Sequence, residues 1–319
     1  MLSRVGEAIF WMSRYIERAE NYARIMGVNL NLTLDLPPGL TQQWEPIIRI
    51  TGDEEDYEKR YTDFNRDNVV KFMTFDPENP NSILSCLQAA RENARSVREN
   101  ISTEMWEHLN EFYLHVKEIY LSNQWPFIDH IEFYNSIRKN AHTFAGITSN
   151  TLSHSDGYRF VVLGRYLERA DKTTRILDVK YFLLLPGLNY IGSQLDLLQW
   201  GALLKSVSAL EMYNKKYMTI NNVNIVEFLL LDRDFPRTVF FCLNRANREL
   251  GKVSGADQTG MTMNLPQKLL GRLESEISYR DSQEIINNGL HEYLDHIQTR
   301  LNEIGVALHD TFFDLRTNQ

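Results

Sequence analysis

The chain has 319 residues, 43% hydrophobic and 24% charged, enough for a sizeable core under the mixed-sign surface of an ordinary globular protein. Its 42 acids exceed its 34 bases, and the net charge of −8 argues against bulk binding to nucleic acid or an anionic membrane. Two cysteines, Cys86 and Cys242, supply neither a disulfide framework nor a four-ligand zinc site, so both are expected as buried thiols.

Met1–Ile9 already holds Arg4 and Glu7, so no signal peptide is expected. The most apolar run, Tyr181–Pro186, is too short to cross a bilayer, and the expected location is cytoplasmic. Residues 4–31 predict a helix, because Ile9, Met12, Ile16, Ala19, Ala23 and Met26 recur at three- and four-residue steps. Asp35-Leu36-Pro37-Pro38-Gly39 predicts its stop. A looser acidic stretch follows at Asp53-Glu54-Glu55-Asp56. Asp76–Ser82 predicts a turn, with Pro80 at the first position of a new helix. Further helices are expected over 81–98, 102–121 and 128–148, then 156–185, 190–212, 236–250, 265–280 and 282–314, with Pro236 opening its helix as Pro80 does. Gly251–Asn264 reads as a mobile loop, and no alternating apolar run demands a sheet. The expected class is all-α.

One signature occurs twice. Arg14-Tyr15-Ile16-Glu17-Arg18-Ala19-Glu20 with Arg24 returns as Arg165-Tyr166-Leu167-Glu168-Arg169-Ala170-Asp171 with Arg175. Further matches, Trp44 with Trp200, Tyr57 with Tyr213, Phe72 with Phe228 and Cys86 with Cys242, keep an offset of 156, against 151 at the signature. This period is too long for a solenoid. It predicts a duplicated helical unit, residues 1–150 and 151–319, in one integrated globule with a pseudo-twofold arrangement.

On a helical wheel with Arg14 at 0°, Glu17, Asn21, Arg24 and Arg18 fall between roughly 280° and 40°, opposite Tyr15, Ile16, Ala19 and Ala23. A solvated face would gain only about 0.3–0.5 kcal/mol per ion pair, too little to keep these residues fixed while Asn21 and Tyr22 became Lys172 and Thr173. The candidate network of Arg14, Glu17, Arg18, Arg24, Arg165, Glu168, Arg169 and Arg175 is therefore expected to face protein, as a structural seam or a ligand site. Glu17 is expected to meet Arg169 or Arg175, and Glu168 to meet Arg18 or Arg24.

The signature, Asp76-Pro77-Glu78-Asn79-Pro80-Asn81-Ser82-Ile83 and Ala90-Arg91-Glu92-Asn93-Ala94-Arg95 together resemble the bacterial alpha-E domain family over essentially the whole chain. The resemblance implies an all-helical protein of a largely uncharacterised family. Genes of that family commonly neighbour circularly permuted ATP-grasp ligases and transglutaminase-like peptidases. It thus implies those two partners and a part in making or trimming an amide-linked product, and supplies no catalytic residues.

A ligand site is expected where the copies differ. Arg91, Arg95 and Arg98 form a basic stripe whose counterparts are Asn247, Gly251 and Ser254, and such a stripe suits a carboxylate, phosphate or acidic peptide. Glu104, Glu107, His108, Glu111 and His115 share the next helix, where they can pair with the arginines, line a groove with them or hold a metal. The repeated Glu-x-x-His of helical metal bundles is missing, so no metal is expected. His291 and His296 are spaced five apart, unlike a zincin, and read as a surface helix. No nucleotide-binding loop or nucleophile elbow is present, and no cofactor is expected. The leading expectation is a non-ATP-binding partner of an ATP-grasp amide or peptide ligase, holding an acidic or peptidic substrate. The alternatives are a transferase or hydrolase titrating Glu17 or Glu168, and a structural or assembly protein.

Overall fold

Helix starts follow capping chemistry. Asn65, Ser82, Ser102, Asp129, Ser193, Asn221, Thr238, Asn264 and Asp281 each accept a backbone N–H of the following first turn. In a computed structural model that describes residues 3–35, 44–182, 192–255 and 263–314, these residues form helices and turns alone, so the chain is all-α.

The order in the first half is α1 (Ser3–Asp35), α2 (Glu45–Thr51), α3 (Glu54–Glu58), α4 (Arg66–Thr74), α5 (Ile83–Ser96), α6 (Thr103–Leu121) and α7 (His130–Thr151). The second half continues with α8 (Asp156–Phe182), α9 (Gln194–Ser206), α10 (Leu210–Lys216), α11 (Asn222–Leu231), α12 (Val239–Val253), α13 (Leu265–Ser278), α14 (Ser282–Asn288) and α15 (Leu290–Leu308), ending in a π turn at His309–Phe313. The long helices α1 and α8 pack on each other at the centre. Helices α5 and α7 flank α1, while α12 and α15 flank α8; α2 reaches across to α8 and α9 to α1. One continuous apolar cluster runs through both halves, from Ala8 to Phe313.

Several boundaries differ from the sequence expectation for physical reasons. Pro80 and Pro236 lie in the turns before α5 and α12, because Ser82 and Thr238 take the caps. Their carbonyls instead accept the Cys86 and Cys242 thiols. The helix expected over 190–212 breaks at Ser208, whose φ of 51° is left-handed, and the one over 282–314 breaks at Gly289, whose φ is 104°. Helix α5 stops at Ser96, which leaves Arg98 on a separate short turn. Helices α2, α3, α4 and α11 carry too few residues, or too uniform an apolar run, to show a helical period. Within the expected loop Gly251–Asn264 the helix α12 continues to Val253, and 256–262 lie outside the described residues. The Pro37-Pro38 stop and most of Tyr181–Pro186 also lie outside them.

Candidate functional site

Small residues set the α1–α8 crossing. Ser13 Oγ donates to the Val161 carbonyl at 2.7 Å. A Cβ on Gly164 would sit 2.5 Å from the Phe10 carbonyl oxygen, so the backbones meet where a side chain cannot fit. This approach brings the charged faces of both helices together.

Two reciprocal ion pairs close the seam. Glu168 is fully buried and accepts Arg18 Nε at 2.7 Å, Arg18 Nη2 at 3.1 Å and Arg14 Nε at 2.8 Å. Glu17, 5% exposed, accepts Arg169 Nε at 2.7 Å and Arg169 Nη2 at 2.9 Å. Two-point guanidinium–carboxylate contacts are the strong form of the interaction. Arg24 and Arg175 serve other acids: Arg24 Nε donates to Glu20 at 2.9 Å and Arg175 Nε to Asp171 at 3.0 Å, each four residues along its own helix. Arg165 is not drawn in. It has no hydrogen bond or ion pair among the described residues, and burial beside Arg169 pushes its guanidinium below its usual range.

The sequence reading missed the residues that complete this lattice. Arg237, which precedes α12, donates from Nη2 to both Glu20 oxygens at 2.7 and 2.8 Å, and its Nη1 lies 3.4 Å from Glu17. His142 of α7 places Nε2 2.8 Å from Glu20. Burial alone would raise the Glu20 carboxyl, but Arg237 and Arg24 outweigh it and hold it well below the usual carboxylate range. Around Glu168, Lys172 supplies the bridging cation, 3.5 Å from Glu168 and 2.8 Å from Asp171. Against the burial that would raise them, Arg18, Lys172 and Arg14 hold Glu168 well below its usual range, and Lys172 and Arg175 hold Asp171 at about 2. The signal was present in the repeat register, since Arg237 stands at the position of Asn81 and Lys172 at that of Asn21.

That exchange leaves space on one side. Asn81 is short; its side chain accepts Arg18 Nη1 at 2.7 Å and donates to Asp53 at 2.8 Å. Beside it lies a polar cavity of about 180 Å³, walled by Arg14, Arg18, Lys172, Arg175 and Tyr22, with Asn302 and Gly305 of α15 on its far side.

The Arg91 stripe is organised differently. Arg91 and Arg95 pair with Glu92 at 2.8 and 2.6 Å, Arg91 Nε donates to Asn110 at 2.7 Å, and Arg98 lies over Trp106. On α6, His108 Nε2 bonds the Asn140 carbonyl at 2.8 Å. No group of three or more His, Cys, Asp or Glu among the described residues is placed to hold a metal. His291 lies 2.8 Å from Asp178, and His296 lies 3.4 Å from Glu276. Both cysteines are buried, and burial pushes their thiols up to about 12.

A family model described as a predicted alpha-helical domain with a conserved ER motif matches residues 1–313. The chain belongs to the Alpha-E family. In this Alpha-E chain the Glu-Arg dipeptide stands at Glu17-Arg18 and again at Glu168-Arg169, the four residues of the two reciprocal pairs. The chain is also 19% identical over 342 residues to uncharacterized proteins of Mycobacterium bovis and Mycobacterium tuberculosis, covering 98% of its own length. It spans 36% of the length of those relatives. No solved structure matches it. Among the described residues no helix is long and apolar enough to cross a membrane.

Proposed function

We propose that this Alpha-E chain is the non-ATP-binding helical partner of an ATP-grasp amide or peptide ligase, and that it holds an acidic or peptidic substrate at the α1–α8 seam. The observation that carries this reading is the seam cavity, where four cationic side chains converge on a polar space. Its carboxylates suit binding rather than proton transfer. A general acid must keep its proton near neutral pH, whereas Glu168 and Asp171 are held ionised. A cytoplasmic location and a transglutaminase-like peptidase as second partner belong to the same reading, and both rest on the family resemblance.

The reading also takes the chain as a duplicated unit with a pseudo-twofold axis through the seam. Supporting it, the Ser13–Val161 and Gly164–Phe10 approaches are related by the signature offset of 151. The exchange of α2 onto α8 and of α9 onto α1 has the same sense.

The test is to co-produce the chain with a circularly permuted ATP-grasp protein from the same genome. Co-purification, and ligase activity or specificity that depends on the chain, support the partner role. A ligase with full activity and unchanged specificity alone overturns it.

A further inference from the structure

The charged frame at the seam is built on both sides, but only one side is plugged. Around Glu17 and Glu20, Arg237 fills the centre and touches both acids. Around Glu168 and Asp171 the bridging cation is Lys172, rising from α8 itself, and the position matching Arg237 holds the shorter Asn81. The cavity of about 180 Å³ lies there.

Its donors are incompletely used. Arg14 spends only Nε, on Glu168, and its two terminal nitrogens have no hydrogen bond among the described residues. Arg175 spends Nε on Asp171 and Nη1 on the Ile50 carbonyl, which leaves Nη2. Tyr22 is 1% exposed and lines the cavity, and its hydroxyl has no hydrogen-bond partner among the described residues. These donors face the polar cavity, and unused donors converging on one polar space mark a place for a ligand or water.

Charge and size narrow the ligand. Four cations, Arg14, Arg18, Lys172 and Arg175, stand against three carboxylates, Glu168 and Asp171 directly and Asp53 through Asn81, leaving a surplus of one positive charge. One surplus charge matches a carboxylate better than a doubly charged phosphate. The volume of about 180 Å³ admits a carboxylate on a short stem.

We infer that the unplugged half of the Glu-Arg seam is a receptor for a single carboxylate on a short chain, either a glutamate side chain or a peptide C-terminus. This deepens the substrate-binding part of the proposed function and does not depend on the ligase. Gly305 offers a clean block. A Cβ there would meet only Arg14 Nη1, at 4.0 Å, so Gly305→Leu fills the space from α15 without removing any ion pair. Leucine also favours the helix more than glycine does.

The test is titration of the full chain with N-acetyl-glutamic acid α-amide, N-acetylglycine and inorganic phosphate, read by calorimetry and by Tm. The expected result is saturable binding of one carboxylate probe, with a Tm rise of roughly 2 °C or more at saturation. Which probe binds more tightly identifies the source. Affinity should fall at least about tenfold in Gly305→Leu, with Asn302→Leu as the second blocking variant if the first does not fold. No carboxylate binding, tighter phosphate binding, or unchanged affinity in a folded blocking variant overturns the receptor. A ligase indifferent to this chain leaves a positive titration standing, and a negative titration leaves co-purification standing, so the two ideas fail separately.

Discussion

Arg18 grips Glu168 across the α1–α8 seam, with Nε 2.7 Å from one carboxylate oxygen and Nη2 3.1 Å from the other. Glu168 is fully buried, so removing its carboxylate takes the carboxylate partner from both Arg14 and Arg18 and leaves Lys172 with Asp171 alone. Breaking one side of a buried pair costs about 3–5 kcal/mol, and Glu168→Ala and Glu17→Ala are each expected to lose that much in urea unfolding. A loss under about 1 kcal/mol is what an exposed pair gives, and would show that the lattice does not hold the fold.

Acid should loosen the seam. Glu20, Glu168 and Asp171 are all held below their usual carboxylate values, Asp171 at about 2. Unfolded carboxyls titrate near about pH 4. A group whose folded value is lower contributes stability that is fully present above the unfolded value and is lost as pH falls through the folded one. The urea midpoint should therefore decline from about pH 4.5 down towards pH 2, and the decline should be shallower in Asp171→Asn. A midpoint that stays constant over that range contradicts the assignment.

Backbone proximity gives a sharper contrast. A Cβ on Gly164 would lie 2.5 Å from the Phe10 carbonyl oxygen, so Gly164→Ala must push α1 and α8 apart, at a cost of about 1–3 kcal/mol. Gly146, inside α7, has nothing within 4 Å of its Cβ position. Gly146→Ala should stabilise by about 0.5–1 kcal/mol through helix propensity alone. Equal effects of the two substitutions in thermal unfolding would contradict the close crossing.

The cysteines provide a probe of opening. Both thiols are buried and titrate at about 12, so neither offers thiolate to an alkylating reagent near neutral pH. Iodoacetamide is expected to leave the native chain unmodified and to label both in denaturant, as mass spectrometry would record. Rapid native labelling of Cys86 would mean that the turn beneath Pro80 opens.

How much of this was legible depended on which interactions are local. Helical periods in α1 and α8 mark the two long helices, and the repeated charges mark the face that meets. The Glu17–Arg169 and Glu168–Arg18 pairings were among the combinations that this repetition predicts. Arg237 was invisible to that logic, because it sits in a turn 217 positions from Glu20 and belongs to no helical period. The Arg98 placement failed for a local reason: α5 stops at Ser96, and a helical wheel assumes a helix that continues. Short helices such as α3 are set by packing and caps, which a period cannot register.

The final prediction tests whether the two sides of the seam are built on one plan. In the Glu17–Glu20 frame Asn21 accompanies Arg237; in the Glu168–Asp171 frame Lys172 accompanies Asn81. Each side thus has one bridging cation between its acids, taken from a different position. Lys172→Asn removes the cation that joins Glu168 and Asp171, and is expected to cost about 3–5 kcal/mol. If the frames are related by a twofold axis, an arginine at position 81 reaches the same two carboxylates as Arg237 reaches in the other frame. Asn81→Arg alone should destabilise, because it crowds Arg18 and Lys172 and gives up the bond to Asp53. In the Lys172→Asn background it should instead recover stability. A double-mutant cycle in urea is expected to give a favourable coupling of at least about 1 kcal/mol. Simple additivity of the two losses would mean that the frames share a sequence signature without sharing a geometry.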